Sequence, residues 1–223
     1  MLPTIQAATY GLIFGVILGD SRPHNFLPFL FTGVFLFSFM SGSFYSGASS
    51  ITSNSGLVKS LSFPRALLPI SSVISQFLNL LPQLGILLVT LVIIQHEITW
   101  AWFALIPIVF LMTMFSVGLA MIAARLTVQV RDLSKLLPFV TRIFFYISGI
   151  FFSVDAVLAN HPEILSVVKW NPVYDYIEIA RGALVQGYSM QTDIWIACVV
   201  WAVITFVFGS IFFWKAEEEY GRD

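Results

Sequence analysis

The sequence predicts an all-α integral membrane fold with six transmembrane helices, and three observations carry that prediction. Hydrophobic types make up 58% of the 223 residues and charged types only 10%, with a mean hydropathy of +0.88; a soluble domain is about half apolar and a quarter charged. Six stretches have the roughly 20 apolar residues needed to cross about 30 Å of hydrocarbon. None of them shows the short alternating segments of a membrane β-barrel. This composition excludes an ordinary soluble enzyme, a disordered chain and a nucleic-acid binder. The 11 basic and 12 acidic residues leave no global attraction for an anionic partner.

The spans are predicted at 2–19, 26–51, 67–94, 100–124, 136–154 and 194–214. The first carries Gly11, Gly15 and Gly19 on one face, which suits close helix packing within the chain or a subunit interface. The second stacks Phe31, Phe35 and Phe39 at i, i+4 and then turns rich in Ser and Gly. Pro82 and Pro107 lie deep enough to kink the third and fourth. Between the last two spans, 155–193 is too long for a turn and too apolar for a free tail, so it reads as short helices at the membrane surface or dipping into it. There Asn171-Pro172 forms a helix start, Val173, Ile177, Ala180 and Leu184 form an apolar stripe, and Asp175, Glu178 and Arg181 lie mainly off it.

Lys and Arg set the orientation. Lys59, Arg65, Arg125, Arg131, Lys135, Lys215 and Arg222 fall on one side, against Arg22, Lys169 and Arg181 on the other. The richer side is expected to be cytoplasmic, with both termini on it, in a multi-pass protein of the cytoplasmic membrane. Trp100, Trp102, Trp170 and Trp214 fall near span ends, as an aromatic belt requires.

A search for chemistry finds little. His24, His96 and His161 are scattered, with His96 next to Glu97, and no metal-ligand spacing or phosphate-binding loop is present. The single cysteine, Cys198, excludes an internal disulfide. No Asp or Glu pair sits mid-span to couple transport to an ion. Arg142 lies inside the fifth span, where it either snorkels to the interface or contacts an anionic substrate. The loop 53–66, with the sequence SNSGLVKSLSFPRA, is more than a connector. Its Leu57, Val58 and Leu61 give a short helix an apolar face with no core of its own, as a docking element for a partner protein would have.

That loop closely resembles the coupling segment of ABC-2-type exporter permeases, in the polysaccharide, O-antigen, teichoic acid and actinobacterial wall-galactan branch. The matching residues are Asn54, Ser55, Gly56, Leu57, Val58 and Lys59, then Phe63, Pro64 and Arg65, then Leu68 and Pro69. Arg131-Asp132-Leu133 before the fifth span and Asn171-Pro172-Val173-Tyr174 with Glu178 and Arg181 also resemble the family's pattern. The resemblance implies a type-2 ABC exporter permease fold: one permease domain over 1–223, a cytoplasmic coupling helix and short outer re-entrant gate helices. It implies a homodimer bound to two copies of an ABC ATPase subunit, which would carry ATP and Mg, so that this chain is no enzyme and binds no cofactor. It implies export of a polymer carried on a polyprenyl diphosphate. It also implies a basic amphipathic interfacial helix ahead of the first span. The sequence opens directly into that span, so the expectation is either an earlier natural start or an unusual start without that second ATPase-docking surface.

The expected site residues follow. Asn54 to Lys59, Leu61, Phe63, Pro64 and Arg65 form the ATPase-coupling set; Asn171, Pro172, Tyr174, Glu178 and Arg181 form the outer gate; Arg142 is a possible anion contact. Aromatics are 16% of the chain. Sugar C–H faces pack on aromatic rings without strong directionality, which suits a polymer sliding unit by unit. Tyr10, Phe35, Phe39, Phe44, Tyr45, Phe145, Tyr146, Phe151 and Phe152 are the candidate channel aromatics. The alternatives are an exporter of a small hydrophobic drug or lipid, a membrane assembly subunit that moves nothing, and a membrane-embedded transferase, which the missing acid/base cluster disfavours.

Overall fold

The computed structural model describes residues 2–17, 25–60, 63–95, 98–130, 132–158 and 160–215, without the side chains of Leu2, Lys59 and Gln95. Gly19, Arg22, His24, Leu61, His96, Glu97, Arg131 and Arg222 therefore lie outside the described residues. Among the described residues every regular element is helical: α1 (Leu2–Ile17), α2 (Phe26–Ser53), α3 (Ser55–Ser60), α4 (Leu67–Gln95), a 3-10 turn (Trp100–Ala104), α5 (Leu105–Gln129), α6 (Leu133–Ile147), α7 (Val154–Val157), α8 (Pro162–Val168), α9 (Pro172–Leu184) and α10 (Thr192–Trp214).

Among the described residues four helical stretches are long and apolar enough to cross a membrane: Phe26–Ser53, Leu67–Ile94, Trp100–Gln129 and Thr192–Trp214. The other two predicted spans are shorter helices among the described residues. At about 1.5 Å per residue, the 16 residues of α1 and the 15 of α6 reach roughly 24 and 22 Å. The stretch predicted as one span over 136–154 ends at Ile147, because Gly149 takes a left-handed φ of 63° and turns the chain. Pro107 stands in the first turn of α5, where its missing N–H costs nothing, whereas Pro82 lies inside a continuous α4. In the Ser-rich half of α2 the hydroxyls of Ser46 and Ser49 bond back to carbonyls one turn earlier, whereas those of Ser43 and Ser50 are buried without a partner. Ser46 donates to Gly42 at 2.7 Å and Ser49 to Tyr45 at 3.1 Å. Satisfied in this way, they suit a helix in lipid.

The chain divides into two compact units, and the division runs through the long helices. One comprises Met1–Ser38, Leu80–Phe110 and Ile143–Cys198. Here α1 meets the start of α2 at Gly11, where a Cβ would lie 2.9 Å from Leu27 Cδ2. Gly11 of the expected glycine face thus serves packing within the chain. An aromatic cluster continues that contact: Phe14 stacks on Phe151 at 4.3 Å, Tyr10 meets Phe151 at 5.2 Å, and Phe145 meets Phe37 at 5.0 Å and Phe151 at 5.2 Å.

The other unit comprises Phe39–Asn79, Leu111–Arg142 and Val199–Asp223. Its helices touch through small residues. A Cβ at Gly47 would strike Ala120, and one at Gly118 would strike the backbone of Thr205. Backbones that approach this closely gain dispersion contacts, which drive helix association where lipid supplies no hydrophobic difference. Ala48, Ala123 and Leu137 form a buried cluster flanked by Phe44 and Tyr45.

Candidate functional site

The predicted gate segment is built around Arg181. Asn171 caps α9 as its sequence predicts: its side-chain oxygen accepts from Val173 N at 3.0 Å. Its Nδ2 donates to Ser148 Oγ at 2.8 Å, and that hydroxyl donates to the Phe144 carbonyl at 2.6 Å. The start of α9 is thereby tied to the end of α6. Beside it, Tyr174 packs with Val154 and Val168, and its hydroxyl donates to Asp155 Oδ2 at 3.3 Å. Asp155 also pairs with Lys169 at 2.9 Å, with both side chains nearly half exposed.

The predicted apolar stripe Val173, Ile177, Ala180 and Leu184 is buried, but so are Asp175 and Arg181. This corrects the expectation of a polar face on α9. The helix is buried in the chain around most of its circumference. Arg181, 1% exposed, uses all five of its N–H donors. Nε and Nη2 donate to the Phe29 carbonyl at 3.3 and 3.4 Å, Nη1 to the Gly149 carbonyl at 3.0 Å, and Nη2 to the Ile150 carbonyl at 3.1 Å. Nη1 also reaches Glu178 Oε2 at 3.4 Å. The guanidinium lies 3.4 Å from the centroid of the Phe29 ring, a desolvated cation–π contact. Gly33 leaves room for it, since a Cβ there would come within 2.9 Å of Nη2.

Burial pushes the Arg181 guanidinium down to about 10, which leaves it charged at neutral pH. Burial raises the Glu178 carboxyl against the opposing pull of Arg181. Phe29, Gly33, Gly149 and Ile150 had no place in the expected gate set. Their role depends on backbone carbonyls and on space, neither of which a residue pattern displays.

The predicted docking element is α3, one residue after the end of α2. Asn54 makes the joint: its Nδ2 donates to the Ser50 carbonyl at 2.8 Å, and its own carbonyl accepts from Val58 N at 3.0 Å. Ser55, Gly56 and Leu57 are exposed, Leu57 by 46%. Val58, expected on the same open face, is turned inward and buried. Adjacent residues on a helix point about 100° apart, so Leu57 is exposed while Val58 is not. Phe63 and Arg65 are partly buried and Pro64 exposed in the turn that starts α4.

The channel aromatics divide by burial. Phe35, Phe39 and Phe151 are buried in the chain's own packing and offer no open ring face, which corrects their assignment to a channel wall. Tyr10, Phe44, Phe145 and Phe152 are partly buried. Tyr45 holds α2 to α6: its hydroxyl meets Thr141 Oγ1 and donates to the Leu137 carbonyl at 3.4 Å. Tyr146 is 58% exposed on α6, the helix that also exposes Arg142, Phe139 and Phe144.

Comparison with known proteins places this architecture. The family model described as ABC-2 type transporter matches residues 1–185. An O-antigen export system permease protein RfbA of Klebsiella pneumoniae is 26% identical over 214 residues, covering 94% of this chain and 80% of that protein. The same figures hold for a second such protein from that organism. An O-antigen export system permease protein RfbA of Myxococcus xanthus is 24% identical over 221 residues, covering 99% of this chain and 84% of that protein.

Proposed function

Because this chain belongs to the ABC-2 type transporter family, we propose that it is the permease subunit of a polysaccharide exporter in the cytoplasmic membrane. It crosses the membrane six times, with α1 and α6 as the two short spans and both termini in the cytoplasm. Two copies form the permease as a homodimer, and two copies of a separate ABC ATPase subunit hydrolyse ATP to drive it. The passenger is a polysaccharide of the O-antigen, teichoic acid or wall-galactan kind, carried on a polyprenyl diphosphate. The observation that carries this reading is the run of O-antigen export permeases that align along nearly the whole chain.

The physical roles follow from the two built segments. On the cytoplasmic side α3 presents Leu57 to the ATPase, and movement there is delivered through Asn54 to α2. On the outer side α9, pinned by Arg181, narrows the exit. The aromatic surface of α6, with Tyr146, gives sugar rings weak and repeated contacts, and Arg142 on the same helix attracts the diphosphate.

The direct test is transport. Inverted membrane vesicles holding the chain with its ATPase should take up a polyprenyl-diphosphate-linked glycan only when ATP is supplied. ATP-driven uptake of a small hydrophobic dye or lipid in place of the glycan would establish the drug or lipid reading. Absence of all ATP-driven uptake would favour a non-transporting assembly subunit.

A further inference from the structure

Asp175 is a carboxylic acid with no role in the gate geometry described above. It stands in the first turn of α9, is 3% exposed, and its Oδ2 is buried without a hydrogen-bond partner. With Ile179 and Gly182, at i+4 and i+7, it forms one face of the helix. That face presses on the chain entering α10, where a Cβ at Gly182 would meet the backbone of Ser189 and Met190 at 2.8 to 2.9 Å. Next to Asp175, the Tyr176 hydroxyl donates to the Cys198 carbonyl of α10 at 2.8 Å. The seam between α9 and α10 therefore holds one strong directional tie and one unsatisfied acid.

Among the described residues no cation faces that acid. Its titratable neighbours are the Tyr176 phenol and, from α10, the Cys198 thiol. The 3-10 turn packed on α9, Trp100–Ala104, contains no titratable residue. Arg181, about 120° further round α9 at 100° per residue, is taken up by Glu178 and three backbone carbonyls. Tyr188, in the connector, interacts with Arg181 and Glu178.

We propose that Asp175 is a proton-binding site that sets how tightly α9 is held on α10: protonated it lets the seam close, and ionised it loosens it. A carboxylate with neither donor nor counter-charge is strongly disfavoured in a dry seam, whereas the neutral acid is tolerated. Burial accordingly raises the Asp175 carboxyl from 3.8 to about 7 while α9 is docked. Released into water, it returns to its ordinary range. Release then becomes more favourable as pH rises between those two values, by up to about tenfold per pH unit, and levels off above the higher one. That this biases an export gate rests on the exporter reading; the proton site itself does not.

Hydrogen exchange of the α9 amides, in the full chain in lipid nanodiscs and normalised to free-peptide rates, tests it without any transport. Between about pH 5 and pH 7 the opening of α9 should increase towards 100-fold, then flatten. Asp175→Asn should remove most of the slope, leaving what the raised Glu178 carboxyl adds, and Glu178→Gln should keep most of it. A flat wild-type profile, a slope retained undiminished in Asp175→Asn, or a slope lost in Glu178→Gln would each overturn the proposal. If Asp175→Asn fails to fold, the wild-type and Glu178→Gln profiles still decide.

Discussion

Two short helices, α9 and α3, adjoin longer ones in this chain, and they are finished in different ways. Ten of the 13 residues of α9 are buried, its start is capped by Asn171, and the five donors of its arginine meet acceptors from three separate stretches of chain. By contrast, α3 is six residues long, turns only Val58 inward among its described side chains, and leaves Leu57 uncovered. The first is completed by its own chain. The second presents an apolar residue that its own chain does not cover. Stability is therefore expected to reside in α9, and dependence on a partner in α3.

Mutations at the Arg181 socket should break that comparison most severely. Arg181→Ala leaves the partly buried Glu178 without its partner, beside carbonyls stripped of their donors. It should cost about 3–5 kcal/mol, the usual effect of removing one partner from a buried pair. Thermal unfolding of the detergent-solubilised chain measures this, and a cost near zero would mean that the socket does not support the fold. Gly149→Ala should follow at about 2 kcal/mol, because a φ of 63° is unfavourable for any residue with a Cβ and the methyl would strike Val154. Glu178→Gln should cost about 1 kcal/mol, since the amide oxygen still accepts from Arg181 and only the charge assistance is lost. If α9 closes the exit, that variant should also raise leak of small solutes through the reconstituted exporter, and an equally tight variant would confine Glu178 to a structural role.

The same contrast explains what could be read in advance. The spans over Phe26–Ser53, Leu67–Ile94 and Thr192–Trp214 were legible because each is one long apolar run. Asn171-Pro172 was legible because a cap is made by adjacent residues. The end of α6 was not: Leu136 to Val154 is predominantly apolar on both sides of the turn, and Gly149 marks the break. Arg181 was legible as a residue but not as a socket. Its carbonyl partners lie 152, 32 and 31 residues away, and backbone carbonyls carry no sequence signature. The rings of Phe35 and Phe39 had the helical spacing of a wall, but spacing does not reveal whether a face is turned to a passenger or to a neighbouring helix. The exposed position of Leu57 was legible because α3 is bounded by Asn54 and Pro64 and is too short to bury its apolar side fully.

The smallest effect on stability is also the most direct test of the central claim, that this chain is a permease driven by a separate ATPase seated on α3. Leu57→Asp should leave the unfolding midpoint within roughly the ±0.5 kcal/mol typical of surface substitutions. It should nevertheless abolish co-purification of the ABC ATPase with the chain, along with the ATP hydrolysis that glycan substrate stimulates. An ATPase that still co-purifies with Leu57→Asp at the wild-type ratio would contradict the account.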